Sequence, residues 1–181
     1  MSSRDGLSFR RWPEAFVRPG PAPEKWHNRS NYIWWGLVET GSSLPGAPRE
    51  LSLYANERYY YEGQGVKTRR YTSRLDGFVS LHGSLKGGCA LTKPVVFQGG
   101  RLALNLSTSA AGSVRVQIED SEGRIFPGFS LADCPDLYGD AIERVVSWKG
   151  GPDVGRLAGT PVRLRFVLHD ADLYAFGFGK R

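Results

Sequence analysis

The side chains best suited to chemistry in this chain lie near its front: His27, Tyr32, Trp34, Trp35 and Glu39 fall within a short stretch. Aromatic rings stack on the apolar faces of sugar rings, and a carboxylate binds hydroxyls or acts as an acid or base. On a strand, Trp34 and Trp35 point to opposite faces, which puts one of them in a core; both being mainly structural is the favoured reading, and one lining a ligand surface is the alternative. Glu39 sits where a strand would end. Glycosidase chemistry needs two carboxylates at a defined separation, and no neighbour in sequence supplies the second. Tyr59-Tyr60-Tyr61 reads as a strand with aromatics on both faces, and Tyr60 is the member placed behind the Tyr32–Glu39 group.

The other reactive types are scattered. His82 and His169 fall in or beside strands and read as rim histidines. Asp76, Asp170 and Asp172 are hard oxygen donors, but their spacing matches no Ca²⁺ loop. Cys89 and Cys134 sit in no Cys-x-x-Cys or Cys-His arrangement. One bridge between them is open, and two buried free thiols are the favoured reading. No phosphate-binding glycine loop, nucleophile elbow or zinc motif is present. No cofactor and no metal are therefore expected.

The elements that would position these residues are strands. The 23 glycines and 11 prolines fall between short apolar runs, as turns do in an all-β protein. Ser3-Arg4-Asp5-Gly6 reads as a hairpin turn before a strand, with its partner strand expected upstream. Further strands are expected at Asn31–Val38, Arg49–Asn56, Arg58–Tyr61 and Lys67–Arg74, a small blade-like sheet. From Asp76 onward the alternation tightens, with strands at Phe78–His82, Ala90–Thr92, Val95–Phe97, Arg101–Ser107 and around Val114, Val116 and Ile118. Ile142–Trp148, Val162–His169 and Leu173–Phe178 complete the series. Ser130–Asp133 and Val154–Leu157 read as single helical turns. No long 3.6-residue period exists, so a parallel α/β fold is disfavoured. The expected fold is all-β: an antiparallel, jelly-roll-like β-sandwich over 73–181, preceded by a partial propeller-blade sheet over 1–72.

Composition narrows the partners. The formal charge of +6 is spread along the chain, and the tight clusters are only Arg10-Arg11 and Arg69-Arg70. Nucleic-acid binders concentrate charge on one element or patch, so nucleic acid is not an expected partner. No stretch approaches the ~18–20 apolar residues of a membrane span, and no signal peptide is visible, which leaves localisation open.

Several blocks resemble a known architecture. They are Arg74-Leu75-Asp76-Gly77-Phe78-Val79-Ser80, Leu91-Thr92-Lys93-Pro94, Phe126-Pro127-Gly128-Phe129-Ser130, Val146-Ser147-Trp148-Lys149-Gly150 and Val162-Arg163-Leu164-Arg165-Phe166. With them, Tyr71 to Phe178 resembles the C-terminal sandwich of bacterial glycosyl-hydrolase-like proteins, built as a five-bladed propeller plus sandwich and related to glycoside hydrolase family 32. Ser3-Arg4-Asp5-Gly6-Leu7-Ser8-Phe9 is similar to a turn of such blades. The resemblance implies that the catalytic carboxylates of such proteins lie on earlier blades, with motifs this chain lacks. Arg4-Asp5 is followed by Gly6 where the stabiliser motif has Pro, so that role is not carried over.

The leading expectation is therefore a carbohydrate-associated accessory or binding module, not catalytic alone. Its substrate-binding residues would be Tyr32, Trp34, Trp35, Glu39 and Tyr60, and its partners a glycan and an upstream catalytic propeller. Two alternatives stand beside it. One is a structural protein that forms homo-oligomers through the exposed strand edges of residues 1–72. The other is a glycoside hydrolase whose site is completed between subunits by Glu39 and an acid such as Asp5.

Overall fold

The computed structural model describes residues 1, 3, 5–26 and 31–179. His27 and Arg4, singled out above, lie outside the described residues. The fold is all-β, with two antiparallel sheets, and the chain divides into two compact units, Met1–Ser73 and Arg74–Arg181.

The first unit is built around β3 (Glu50–Glu57). Along one edge lie β1 (Tyr32–Ile33) and β2 (Val38–Thr40), end to end, and β4 (Lys67–Arg74) also pairs with β3. Tyr32 faces Asn56, and Val38 faces Ser52. The single strand expected over Asn31–Val38 is thus two. The Trp34 N–H still donates to the Tyr54 carbonyl at 2.8 Å; the chain then leaves the ladder through Gly36, whose φ of 95° is open to glycine. Arg70 joins three strands: its guanidinium donates to Ser52 Oγ (2.7 Å), Thr40 Oγ1 (2.9 Å) and Glu50 Oε1 (2.6 Å).

The strand expected at Arg58–Tyr61 is absent. Arg58, Tyr60 and Glu62 all take left-handed backbone angles, and Tyr61–Gly63 forms a 3-10 turn. The chain must reverse here between β3 and β4, and the turn overrides the β preference of three tyrosines. Asp5–Ser8 also bends without a strand: Asp5 Oδ1 accepts from the N–H groups of Leu7 (2.9 Å) and Ser8 (2.8 Å). Leu7–Phe9, where a strand was expected to start, are in no strand.

The second unit is one curled sheet. Its axis is β7 (Arg101–Glu119) paired with β9 (Arg163–Gly179). β8 (Asp140–Val145) adds to β7, while β5 (Leu81–Gly83) and β6 (Gly88–Leu91) add to β9. β7 and β9 each join two segments that alternation alone separates. The register shifts twice, at Tyr174 on β9 opposite Asn105 and Leu106, and again between Thr108 and Ser113 on β7, opposite Asp170 on β9, where both strands bend. Asp170 has a φ of 41°. Gly112 sits against it, so close that a Cβ would lie 2.3 Å from the Asp170 carbonyl oxygen.

Bending lets one sheet enclose its own core. On β7 the buried positions keep their parity through the bend: Leu102, Leu104 and Leu106, then Val114, Val116 and Ile118. On β9 they run Leu164, Phe166, Leu168 and then switch to Ala171 and Leu173, because the extra residue at the bend exchanges faces. Irregular segments close the curl. Trp148 packs edge-on against Phe129 (5.0 Å between centroids) and donates its Nε1–H to the Val116 carbonyl at 3.0 Å. Gly155–Leu157 is a 3-10 turn, and Ser130–Cys134 closes a turn through the Ser130 carbonyl. Val95, expected in a strand, makes only an isolated bridge to Val162.

Candidate functional site

The register of β1 and β3 sorts the expected binding group onto two faces. Tyr32 is opposite Asn56, and Trp34 lies opposite Tyr54, its ring centroid 6.4 Å from that of Tyr54. These four side chains share one face. The Trp34 indole N–H donates to Asn56 Oδ1 at 2.8 Å, which fixes the ring while it stays 51% exposed. Tyr32 and Tyr54 are exposed beside it. The expectation that one of Trp34 and Trp35 is in a core fails: Trp35 is fully exposed as well. The break in the strand after Trp34 removes the neighbour that would have covered it.

Glu39 is opposite Leu51, on the other face from Tyr32 and Trp34, and forms an ion pair with Arg49. Tyr60 stacks edge-on against Tyr59 (4.9 Å) in the left-handed turn. Neither is brought to the Trp34 face by the register or by any contact. Asp5 is committed to its own turn: backbone N–H groups of Ser8 and Leu7 and the Ser3 hydroxyl hold its carboxyl far below the usual range.

The most enclosed charge in this unit is one the sequence did not single out. Glu57 is 2% exposed and accepts from Lys25 (3.0 Å), Arg69 (2.7 Å) and the Tyr71 hydroxyl. Burial alone would push its carboxyl up; the bonds from Arg69, Tyr71 and Lys25 outweigh that and hold it down to about 2. Burial and the Glu57 carboxylate push the Tyr71 hydroxyl up to about 12. The group is a saturated ion cluster, with no proton to move near neutral pH.

In the second unit, Asp172 Oδ1 accepts from Ser80 Oγ (2.7 Å) and lies 3.2 Å from His82 Nδ1. His169 is at the bend, against Gly87. Among the described residues no three His, Cys, Asp or Glu side chains are placed to hold a metal. Both cysteines are free; Cys134 is buried as expected, but Cys89 is exposed on β6.

A groove of about 350 Å³ crosses β8, β7 and β9, on the side of the sheet away from the buried leucines of β7. Small residues form its floor: Ala103 is opposite Gly177, and Asn105 opposite Ala175. Asp76, Arg101 and Glu143 stand around it, and none of the three makes a side-chain hydrogen bond or ion pair with the described residues. Sequence reasoning missed this groove because alanine and glycine carry no chemical signal of their own.

No helix among the described residues is long and apolar enough to cross a membrane. No protein-family model, curated protein or solved structure matches the chain.

Proposed function

We propose that this chain is a carbohydrate-associated accessory module of a glycosyl-hydrolase-like protein, one that holds glycan and does not hydrolyse it alone. The observation that carries the reading is the Tyr32–Trp34–Tyr54 face. A tryptophan anchored by a hydrogen bond yet half exposed, flanked by two exposed tyrosines, is a preformed stacking surface for sugar rings. The sequence blocks of the sandwich support the same class. Glu39 and Asp5, the pair a hydrolase would need, are each committed to local partners.

The test is a glycan-array screen beside oligosaccharide hydrolysis assays on the same pure protein. Binding without turnover, lost in Trp34→Ala, is expected. Turnover by the isolated chain, or binding unchanged in Trp34→Ala, would sink the reading.

A second reading is favoured by one observation: the described residues of the first unit bury few apolar side chains, chiefly Leu53 and Ala55, while Leu7, Phe9, Phe16, Ile33, Leu37 and Leu44 are exposed. A surface so apolar suits another subunit, a second copy or a propeller. Concentration-dependent size in solution that disappears when residues 1–73 are removed is the outcome it requires.

A further inference from the structure

We infer that the groove across β7, β8 and β9 is a second ligand site, taking a ring of a neutral, hydroxyl-rich sugar laid flat on the sheet. Gly177 carries the argument. It lies inside a strand, where glycine is unfavourable, and usually marks a bulge or a close approach. Neither structural reason for glycine applies at this position. The nearby register shift falls at Tyr174, between Leu173 and Ala175, and Gly177 itself pairs in regular register with Ala103. Its backbone is not in the left-handed region, and a Cβ built on it meets nothing within 4 Å. Gly112, by contrast, is demanded by the bend. What the missing side chain at 177 does leave open is the floor of the groove, beside Ala103 on the neighbouring strand.

The rim points to the ligand class. Among the described residues, Asp76 and Glu143 are acceptors without donors, and Arg101 is a donor without an acceptor. Sugar hydroxyls donate and accept from the same atom, so one ring satisfies both kinds of group. An ion of either sign would leave one of them opposed. A protein partner is less well served, because an apolar anchor laid in the groove would leave Asp76, Arg101 and Glu143 around it without partners. The size suits a small ligand. The choice of sugar rests on the accessory-module reading; the existence of the site does not.

The test uses amide NMR spectra of the isotope-labelled full chain, titrated separately with cellotetraose, xylotetraose and nystose. At least one probe should move the amides of Ala103, Ala175 and Gly177. Gly177→Val should be at least as stable as the parent in thermal melts, and should weaken that binding by about tenfold or more, the size of one lost good contact. Glu143→Gln, which keeps the shape, should weaken it too. A less stable Gly177→Val chain would show that the fold needs the glycine and overturn the inference. So would groove binding that neither variant changes, or groove amides that shift with protein concentration in the absence of sugar. Shifts confined to Tyr32 and Trp34 would overturn the groove and leave the accessory-module reading standing. Shifts confined to the groove would keep the groove and overturn the Tyr32–Trp34–Tyr54 face as the module's glycan surface. No shift with any probe overturns the groove as a sugar site and the accessory-module reading together.

Discussion

Glu57 shows how one side chain ties sequence to the order of a whole unit. Its carboxylate accepts from Lys25, Arg69 and Tyr71, so it links the segment before β1 to β3 and β4. Its folded pKa, about 2, lies below the ordinary carboxylate value of 4.5. The stabilisation it supplies is therefore complete above about pH 4.5 and is lost as pH falls toward 2. Glu57→Gln should lower stability at pH 7 by about 1–3 kcal/mol, because two cations lose their counter-charge. The gap between mutant and parent should close in that acid window, as measured by urea unfolding at a series of pH values. A constant gap down to pH 2 would contradict the assignment. The two thiols offer a simpler check: Cys89 is exposed, while Cys134 is enclosed and burial pushes its thiol up. Ellman's reagent should label one thiol of the native chain quickly and the second only on unfolding.

At the scale of elements, alternation made the half-buried strands of the second unit legible. Leu102–Leu106, Val114–Ile118 and Val162–Leu168 each show the period of two that one-sided burial imposes. What alternation cannot show is that two such runs are one bent strand. The bend depends on Gly112 and Asp170 meeting across the ladder, a contact far apart in sequence. Gly112→Ala should destabilise by about 1–3 kcal/mol, as overpacking does. Asp170→Gly should be tolerated, since glycine enters the left-handed region freely. Urea midpoints of the two variants check both. In the first unit the reading failed at Tyr59–Tyr61, where a reversal set by left-handed residues left no local mark on strongly β-forming side chains. For the candidate site, the aromatic types at Tyr32 and Trp34 were visible in sequence. Their common face with Tyr54 and Asn56 needed the register of β1 on β3, and the separation of Glu39 from them follows from the same pairing.

For the molecule as a whole, the large core cluster, from Phe97 to Leu173, lies entirely within the second unit. Residues 74–181 should therefore fold alone, and residues 1–73 should not, for want of buried apolar area; circular dichroism of the two fragments decides. Within the second unit, the nearest partners on the central ladder, Glu119 and Arg163, already stand on either side of the whole 120–162 segment, and Arg101 with Gly179 are farther apart still. Closure of that segment must precede any reward from the central ladder, so folding should be slow for a domain of this size, as stopped-flow refolding would show. Because β7 and β9 run unbroken through both sides of the bend, the two sides are expected to open together. Amide hydrogens on both halves of the two strands should then exchange with solvent through a single opening, at one common rate set by unfolding of the unit as a block.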